Sequence, residues 1–449
     1  MSVSSQRSAG RSRTIRSLVV GGALGAILLS AACGAGSRVG STDEAVECDI
    51  DQPAEATTVN ILAYNSDATD PFTNALTANC ASDTLTLNHP PTDLNGQKQR
   101  AVQSLSGSSA SYDLIEQFGT VYPLYADRGW TVPLDDYIAE DDQFVLDEID
   151  PKLMEAHAYD GQQFGLPTYW SVNHLIYRKD IFDELGLAPP TTFEEMREAA
   201  QTIQDAGEID YPLAMPMAPA NDIQGAFGMA LRSLGGDFFV EGEAEPALDS
   251  PEAHTAIEEL QSLLPYMSPQ SLSFSSPEVT TQLQTGQAAM GLLVTGRLGP
   301  LVDEGNSPHA KDFGFSTPPA VREGGAPVSF LSVDGFAIAG NSTVDPKLLF
   351  QLAAGATGEG ASKAALPDAL PSRLDLIDND SIPFAASAQD ILQSADPKPL
   401  NQVPYMADVY SVIGAPLGDA VSGKAPIDQA LSEAQSAARD AIANAGYAQ

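Results

Sequence analysis

Basic residues are scarce in this chain: 22 Lys and Arg stand against 60 Asp and Glu, a formal charge of −38. Nucleic acid and anionic lipid surfaces repel so acidic a protein, which argues against both as partners. The acids are scattered, so they read as a solvated surface and mark no active site. Cysteine is scarce as well, with Cys33, Cys48 and Cys80 alone. The five histidines (His89, His157, His174, His254, His309) are neither paired at i, i+4 nor near a cysteine. That excludes the common zinc signatures and leaves surface or structural roles. The G-x-S-x-G elbow and the glycine loops that cradle phosphates are missing too. The carboxylate pairs Asp135-Asp136 and Glu194-Glu195 fall on expected loops or helix starts, where they cap and solvate. No cofactor, no metal and no catalytic residue is expected.

What is present begins at the N-terminus. Arg7, Arg11, Arg13 and Arg16 precede the apolar run Leu18 to Leu29, the small residues Ser30-Ala31-Ala32, and Cys33. These are the parts of an export signal, and the run is shorter than the roughly 20 residues of a membrane span. No adjacent arginine pair occurs, which favours the general export route. LSAAC resembles the lipobox of bacterial lipoproteins, although Ser30 stands where an aliphatic residue is commoner. The resemblance implies cleavage before Cys33 and a lipid anchor on the extracytoplasmic face of the cell membrane. Cleavage leaves 18 basic against 60 acidic residues, or −42. In that oxidising compartment a disulfide between Cys48 and Cys80 is expected.

The roughly 415 residues after cleavage exceed what one core usually organises. Strands are expected over 58–64, 84–88 and 112–116, with helices over 70–79 and 98–105 between them. That alternation predicts an α/β fold with a largely parallel sheet. Thr192 is placed to cap a helix over 193–205, with Glu195 in the capping-box position. Further helices are expected over 223–234, 251–264, 276–285 and 344–355, and strands over 286–294 and 330–339. Residues 356–404 read as irregular, and helices over 405–418 and 427–445 close the chain.

Five segments then share one likeness, in order: YDLIE with DRGWTVPLDDYI, FGLPTYWSVNHLIYRKDIFDELGLAPPTTFEEM, GQAAMGLLVTGRL, SFLSVDGFAIAGNST, and VPYMADVYSVIGAPLGDAVSGKAPIDQALSEAQ. Over roughly residues 57–446 they resemble the family 1 extracellular solute-binding proteins of sugar ABC importers, the maltose-binding-protein-like group. The resemblance implies a type II periplasmic-binding-protein fold, two lobes with mostly parallel sheets flanked by helices around a cleft. It divides the chain into a signal (1–32), a tether (33–56), an N-terminal lobe (57–168 plus 328–385) and a C-terminal lobe (169–327 plus 386–449). It implies a monomer, not an enzyme, that captures a mono- or disaccharide or derivative and hands it to permease subunits. The other readings are a binder of a non-sugar polar solute, such as a glycerol phosphodiester or polyamine, and an extracellular glycan hydrolase with two convergent carboxylates.

Carried over residue by residue, the resemblance implies a ligand site. Asn65, Ser66 and Asp67 follow the first strand, and Gln117 and Thr120 follow YDLIE. Tyr169, Trp170 and Ser171 lie in the crossing, and Asn221 and Asp222 precede a helix. Arg297 stands where many relatives place a tryptophan. Asp334 and Gly335 come from the return strand, Tyr405 and Tyr410 from the closing helix. Sugar hydroxyls need paired donors and acceptors, and their C–H faces stack on aromatic rings. Asp67 equally suits a helix cap, and Tyr169, Trp170 and Tyr410 equally suit packing. Arg297 suits either a core carboxylate or an anionic or hydroxyl-rich solute. Trp130 reads as packing, and the few remaining rings favour a small sugar.

Overall fold

The computed structural model describes Cys48 and residues 50–141, 143–144, 146–219, 222–366, 368–394, 397–399 and 402–447. Cys33 and Asn221 lie outside the described residues. Strand and helix alternate from the start: β1 (Thr57–Leu62), α1 (Asp70–Asn79), β2 (Leu85–Asn88), α2 (Leu94–Leu105) and β3 (Leu114–Phe118). β1 pairs in parallel with both β2 and β3, the arrangement that helical crossovers require. α2 starts earlier than the apolar spacing suggests because Asp93 caps it, its carboxylate accepting from Gly96 N at 2.6 Å. Cys48 and Cys80 form a disulfide with Cα atoms 5.1 Å apart, which fastens the segment before β1 to the end of α1.

A single residue, Val172, separates β4 (Leu166–Ser171) from β5 (Asn173–Arg178), yet the two belong to different sheets. The other strands of these two sheets are β6 (Leu213–Ala214), β7 (Met290–Val294), β8 (Phe313–Ser316), β9 (Ser332–Ile338) and β10 (Leu370–Pro371), and a short hairpin pairs Ala158–Tyr159 with Gln162–Gln163. The larger sheet has the order β10-β4-β9-β3-β1-β2 and the smaller β8-β5-β7-β6. The expected mostly parallel sheets are mixed instead. β9 runs antiparallel to β3 and β4, β10 to β4, and β5 to both β7 and β8. β4 carries the chain out of the larger sheet and β9 carries it back, so the two run in opposite senses.

The two crossings are tied together. Asn173 N donates to Ser329 Oγ at 3.0 Å, and Val172 N donates to Thr295 Oγ1 at 3.0 Å. Beside them His174 is fully buried, and burial lowers its pKa to about 3, so the ring is neutral. Around the smaller sheet pack α3 (Phe193–Ala206), α4 (Ile223–Ser233), α5 (Met406–Val421) and α6 (Ile427–Asn444). Met196, Phe227, Ile413 and Leu431 join Leu292 of β7 in their core. Thr192 caps α3 by accepting from Glu195 N at 3.2 Å. The return arm falls one residue earlier than a capping box requires, since Glu195 accepts from Thr191 N and Oγ1, each at 2.7 Å.

Residues 356–404 are not irregular throughout. They include helices Glu359–Ala365 and Ala385–Ser394, with β10 between them. Phe384, Ala388, Ile391 and Leu392 are all buried, at the i, i+4, i+7, i+8 spacing of one helix face. The surrounding Pro, Asp and Ser residues mask that short pattern. Among the described residues no helix is long and apolar enough to cross a membrane.

Candidate functional site

A cavity of about 180 Å³ lies where β1, β4, β7 and β9 end or cross between the sheets. The larger sheet contributes Tyr64, Ser66 and Ala68 from the turn after β1, Tyr169 and Ser171 from β4, and Ser332 and Asp334 from β9. Val294, Gly296 and Arg297 come from the end of β7 and the turn after it, and Phe330 from the returning crossing. Alternation along the strands accounts for the pairs two residues apart. Ser332 faces Ser171 and Asp334 faces Tyr169 across β9 and β4.

A buried polar network forms the floor. Tyr169 Oη lies 2.7 Å from Asp334 Oδ2, 2.9 Å from Tyr64 Oη and 3.1 Å from Thr69 Oγ1. Thr69 Oγ1 in turn lies 3.0 Å from Glu116 Oε1, while Glu116 Oε2 accepts from Tyr64 N at 3.0 Å. The Tyr169 ring stacks on Phe72 with centroids 5.7 Å apart. Burial raises both carboxyl pKa values, that of Asp334 to about 6, and the Asp334 charge raises that of Glu116 further. Arg297 lines the same cavity; it is exposed and, among the described residues, without an ion pair, and its charge partly offsets the burial that raises the pKa of Asp222. The Arg297 guanidinium can donate hydrogen bonds to a small polar solute, and the hydroxyls of the floor can donate to it or accept from it.

Of the residues expected at the site, the cavity brings together Ser66, Tyr169, Ser171, Arg297 and Asp334. The others go elsewhere. Asn65 braces its own loop, donating to Asp70 Oδ1 at 3.0 Å and accepting from Thr92 N at 2.8 Å. Asp67 is exposed and neither lines the cavity nor caps α1, whose N-cap is Thr69. Gln117 is the last-but-one residue of β3 rather than a loop residue. It is fully buried and its amide bonds His157 Nδ1 at 3.0 Å. Thr120 is half-buried in the turn beyond and does not line this cavity.

Trp170 points to the opposite face of β4 from Tyr169 and Ser171. It is fully buried and its indole N–H donates to Pro371 O at 3.1 Å. Gly335 serves the bulge where β9 meets β4; a Cβ there would fall 2.2 Å from Leu166 O. Asp222 is half-buried at the start of α4 with Oδ2 unpaired, and burial raises its pKa. Tyr410 packs against Phe238 at 5.7 Å, with its hydroxyl buried and unpaired. Tyr405 lines a separate hollow of about 600 Å³ with Arg232, Asp237 and Gln402. The cation there is already engaged, by Pro399 O at 2.9 Å and Asp237 at 3.5 Å.

Sequence reasoning passed over Tyr64, Glu116, Phe330 and Ser332. Period-two alternation could have found Ser332, two residues from Asp334, and could have separated Trp170 from its neighbours. Glu116 gave no such signal, because a carboxylate inside an apolar strand acquires partners only on folding.

Two mixed sheets joined by chain crossings, with a polar cavity at the junction, define the type II fold of two-lobed periplasmic binding proteins. The sequence pattern of the bacterial extracellular solute-binding protein family matches residues 93–359, and the chain belongs to that family. Among individual relatives it is 31% identical over 147 residues to a maltotriose-binding protein of Pyrococcus abyssi, covering 32% of this chain and 30% of that one. This chain therefore spans about a third of that relative's length. Against a mannitol-binding protein of Pseudomonas aeruginosa it is 24% identical over 383 residues, covering 79% of this chain and 85% of the other. A ribitol-bound solute-binding protein of Agrobacterium radiobacter K84 shares the fold with a TM-score of 0.74 at 21% identity, over 86% of this chain and 99% of that one.

Proposed function

We propose that this protein captures a monosaccharide or sugar alcohol in the cavity at the crossings and delivers it to the permease subunits of an ABC importer. The observation that carries the reading is the cavity itself. It brings hydroxyls and a carboxyl of the larger sheet into one cavity with the exposed Arg297 guanidinium from the turn after β7. Tyr64, Tyr169 and Phe330 supply the apolar surface that a sugar's C–H groups need. A volume of about 180 Å³ lies below the roughly 300–1,000 Å³ of drug-sized pockets, which favours one sugar unit over an oligosaccharide. The mannitol and ribitol named for two similar proteins are of that size class. The larger sheet with its helices forms one lobe and the smaller sheet with α3 to α6 the other. Closure at Val172 and Ser329 shields the solute.

A melting screen across hexoses, sugar alcohols, sugar phosphates and amino compounds tests this reading. The true solute, at 100 times its dissociation constant, adds about 2.7 kcal/mol of stability and raises the melting temperature accordingly. No shift with any hexose or sugar alcohol would sink it, and a shift with sugar phosphates alone would move the reading to an anionic cargo held by Arg297.

The export signal and LSAAC support a lipid anchor at Cys33 for a monomer on the extracytoplasmic face. Cys33→Ser is expected to move the protein from the membrane fraction to the soluble fraction. Membrane retention of that variant would rule the anchor out.

A further inference from the structure

The floor of the cavity poses a counting problem in protons. Five hydrogen bonds of 3.1 Å or less join its oxygens: Ser66 to Thr69 (3.1 Å), Thr69 to Glu116 (3.0 Å), Thr69 to Tyr169 (3.1 Å), Tyr64 to Tyr169 (2.9 Å) and Tyr169 to Asp334 (2.7 Å). Tyr64 Oη also lies 3.4 Å from Asp334 Oδ2, a longer second branch for the proton it gives Tyr169. Each of the five short bonds needs one proton between its two oxygens. The hydroxyls of Ser66, Thr69, Tyr64 and Tyr169 supply four. If both carboxyl groups are ionised, one of these close oxygen pairs has only lone pairs facing each other. A single additional proton, on either carboxyl group, completes the set.

From this geometry we propose that Glu116 and Asp334 share one proton at neutral pH, exchanged through Thr69 and Tyr169, so that the floor carries one negative charge and not two. With the proton on Glu116 the bonds run from Glu116 to Thr69 to Tyr169 to Asp334. With it on Asp334 all three reverse, while Ser66 and Tyr64 donate in both cases. No oxygen in either arrangement exceeds one donated and two accepted bonds. Glu116 is thus a positioning residue: it sets the direction in which the Tyr169 hydroxyl points at the cavity wall.

The environment agrees. Glu116 and Asp334 are 1% and 5% exposed, and no Lys, Arg or His bonds either of them among the described residues. The titratable groups facing the pair are Tyr64 and Tyr169, both held neutral by burial, and Asp70, whose charge opposes a second ionisation of Glu116. Arg297 faces the same cavity without bonding either carboxyl group. Carboxyl groups with pKa values raised in the folded state stabilise the fold most in mild acid. That stability is lost as the pH rises from about 4, the unfolded range, through the folded-state values.

The test needs no ligand, so it stands apart from the identity of the solute. In Glu116→Gln the amide donates permanently to Thr69 and its oxygen still accepts from Tyr64 N. In Asp334→Asn the amide donates to Tyr169. Each single variant is expected to melt no lower than the native protein at neutral pH, and a few degrees higher at mildly alkaline pH, with a flatter pH profile. The double variant has one donor too many and is expected to melt below both. Infrared spectra of the native protein at neutral pH should show one buried protonated carboxyl band that either single substitution removes. Absence of that band, or single variants whose losses simply add in the double, would overturn the proposal.

Discussion

Trp170→Ala is expected to destabilise the protein by roughly 3–5 kcal/mol, the usual cost of truncating a fully buried aromatic side chain. The indole has no exposed surface, and its N–H donates to Pro371 O. Trp170 is also the residue of β4 that pairs with Leu370 of β10, so the ring holds an edge strand in place. Truncation leaves a cavity and an unpaired carbonyl together. Denaturant unfolding measures the loss, and a decrease below about 1 kcal/mol would contradict this packing role. The same experiment separates two readings of an aromatic residue in a crossing segment. A ring that stacks on a sugar costs affinity and little stability when removed; a ring that fills a core costs stability first.

Asp334→Ala is expected to have the largest effect on solute affinity. Asp334 lines the cavity and is the acceptor for Tyr169 Oη at 2.7 Å and Tyr64 Oη at 3.4 Å. Its removal takes away a buried acceptor and leaves two tyrosine hydroxyls to rearrange. Truncating one partner of a buried, hydrogen-bonded charged group costs about 2–5 kcal/mol, or roughly 30-fold to several thousand-fold in dissociation constant. Titration calorimetry with the best solute from the melting screen measures it, with Thr120→Ala as a control outside the cavity. Affinity within threefold of native for Asp334→Ala would remove Asp334 from the binding site. If the control weakened binding as much, the cleft would extend past the cavity described.

Much of the fold is legible in local sequence because its causes are local. α1 begins and ends where its apolar spacing and Pro71 place it, and Thr192 announces α3 as a cap. The helices of 356–404 are less legible because each is short and flanked by turn-forming residues. Strand direction was legible only where helices connect the strands, in the parallel β1, β2 and β3: nothing in TYWS or SVDG states whether β4 and β9 run with or against their neighbours. The site divides in the same way. Tyr169, Ser171, Arg297 and Asp334 could be named from the order of segments in the chain. Gln117 and Trp170 are in the right segments but face into the protein, because a strand sends alternate side chains to opposite sides.

By itself the sequence determined the acidic composition, the order of strand and helix over much of the chain, and the segments that meet at the crossings. These follow from composition, local propensity and chain order. Only the tertiary structure decided which face of each crossing strand meets the cavity and that Arg297 stands there without an ion pair. It alone brought Glu116, 218 positions before Asp334 in the numbering, into one hydrogen-bonded network with it. The reason is physical: a carboxylate buried in a sheet has no partner and no shifted protonation until folding removes the water around it.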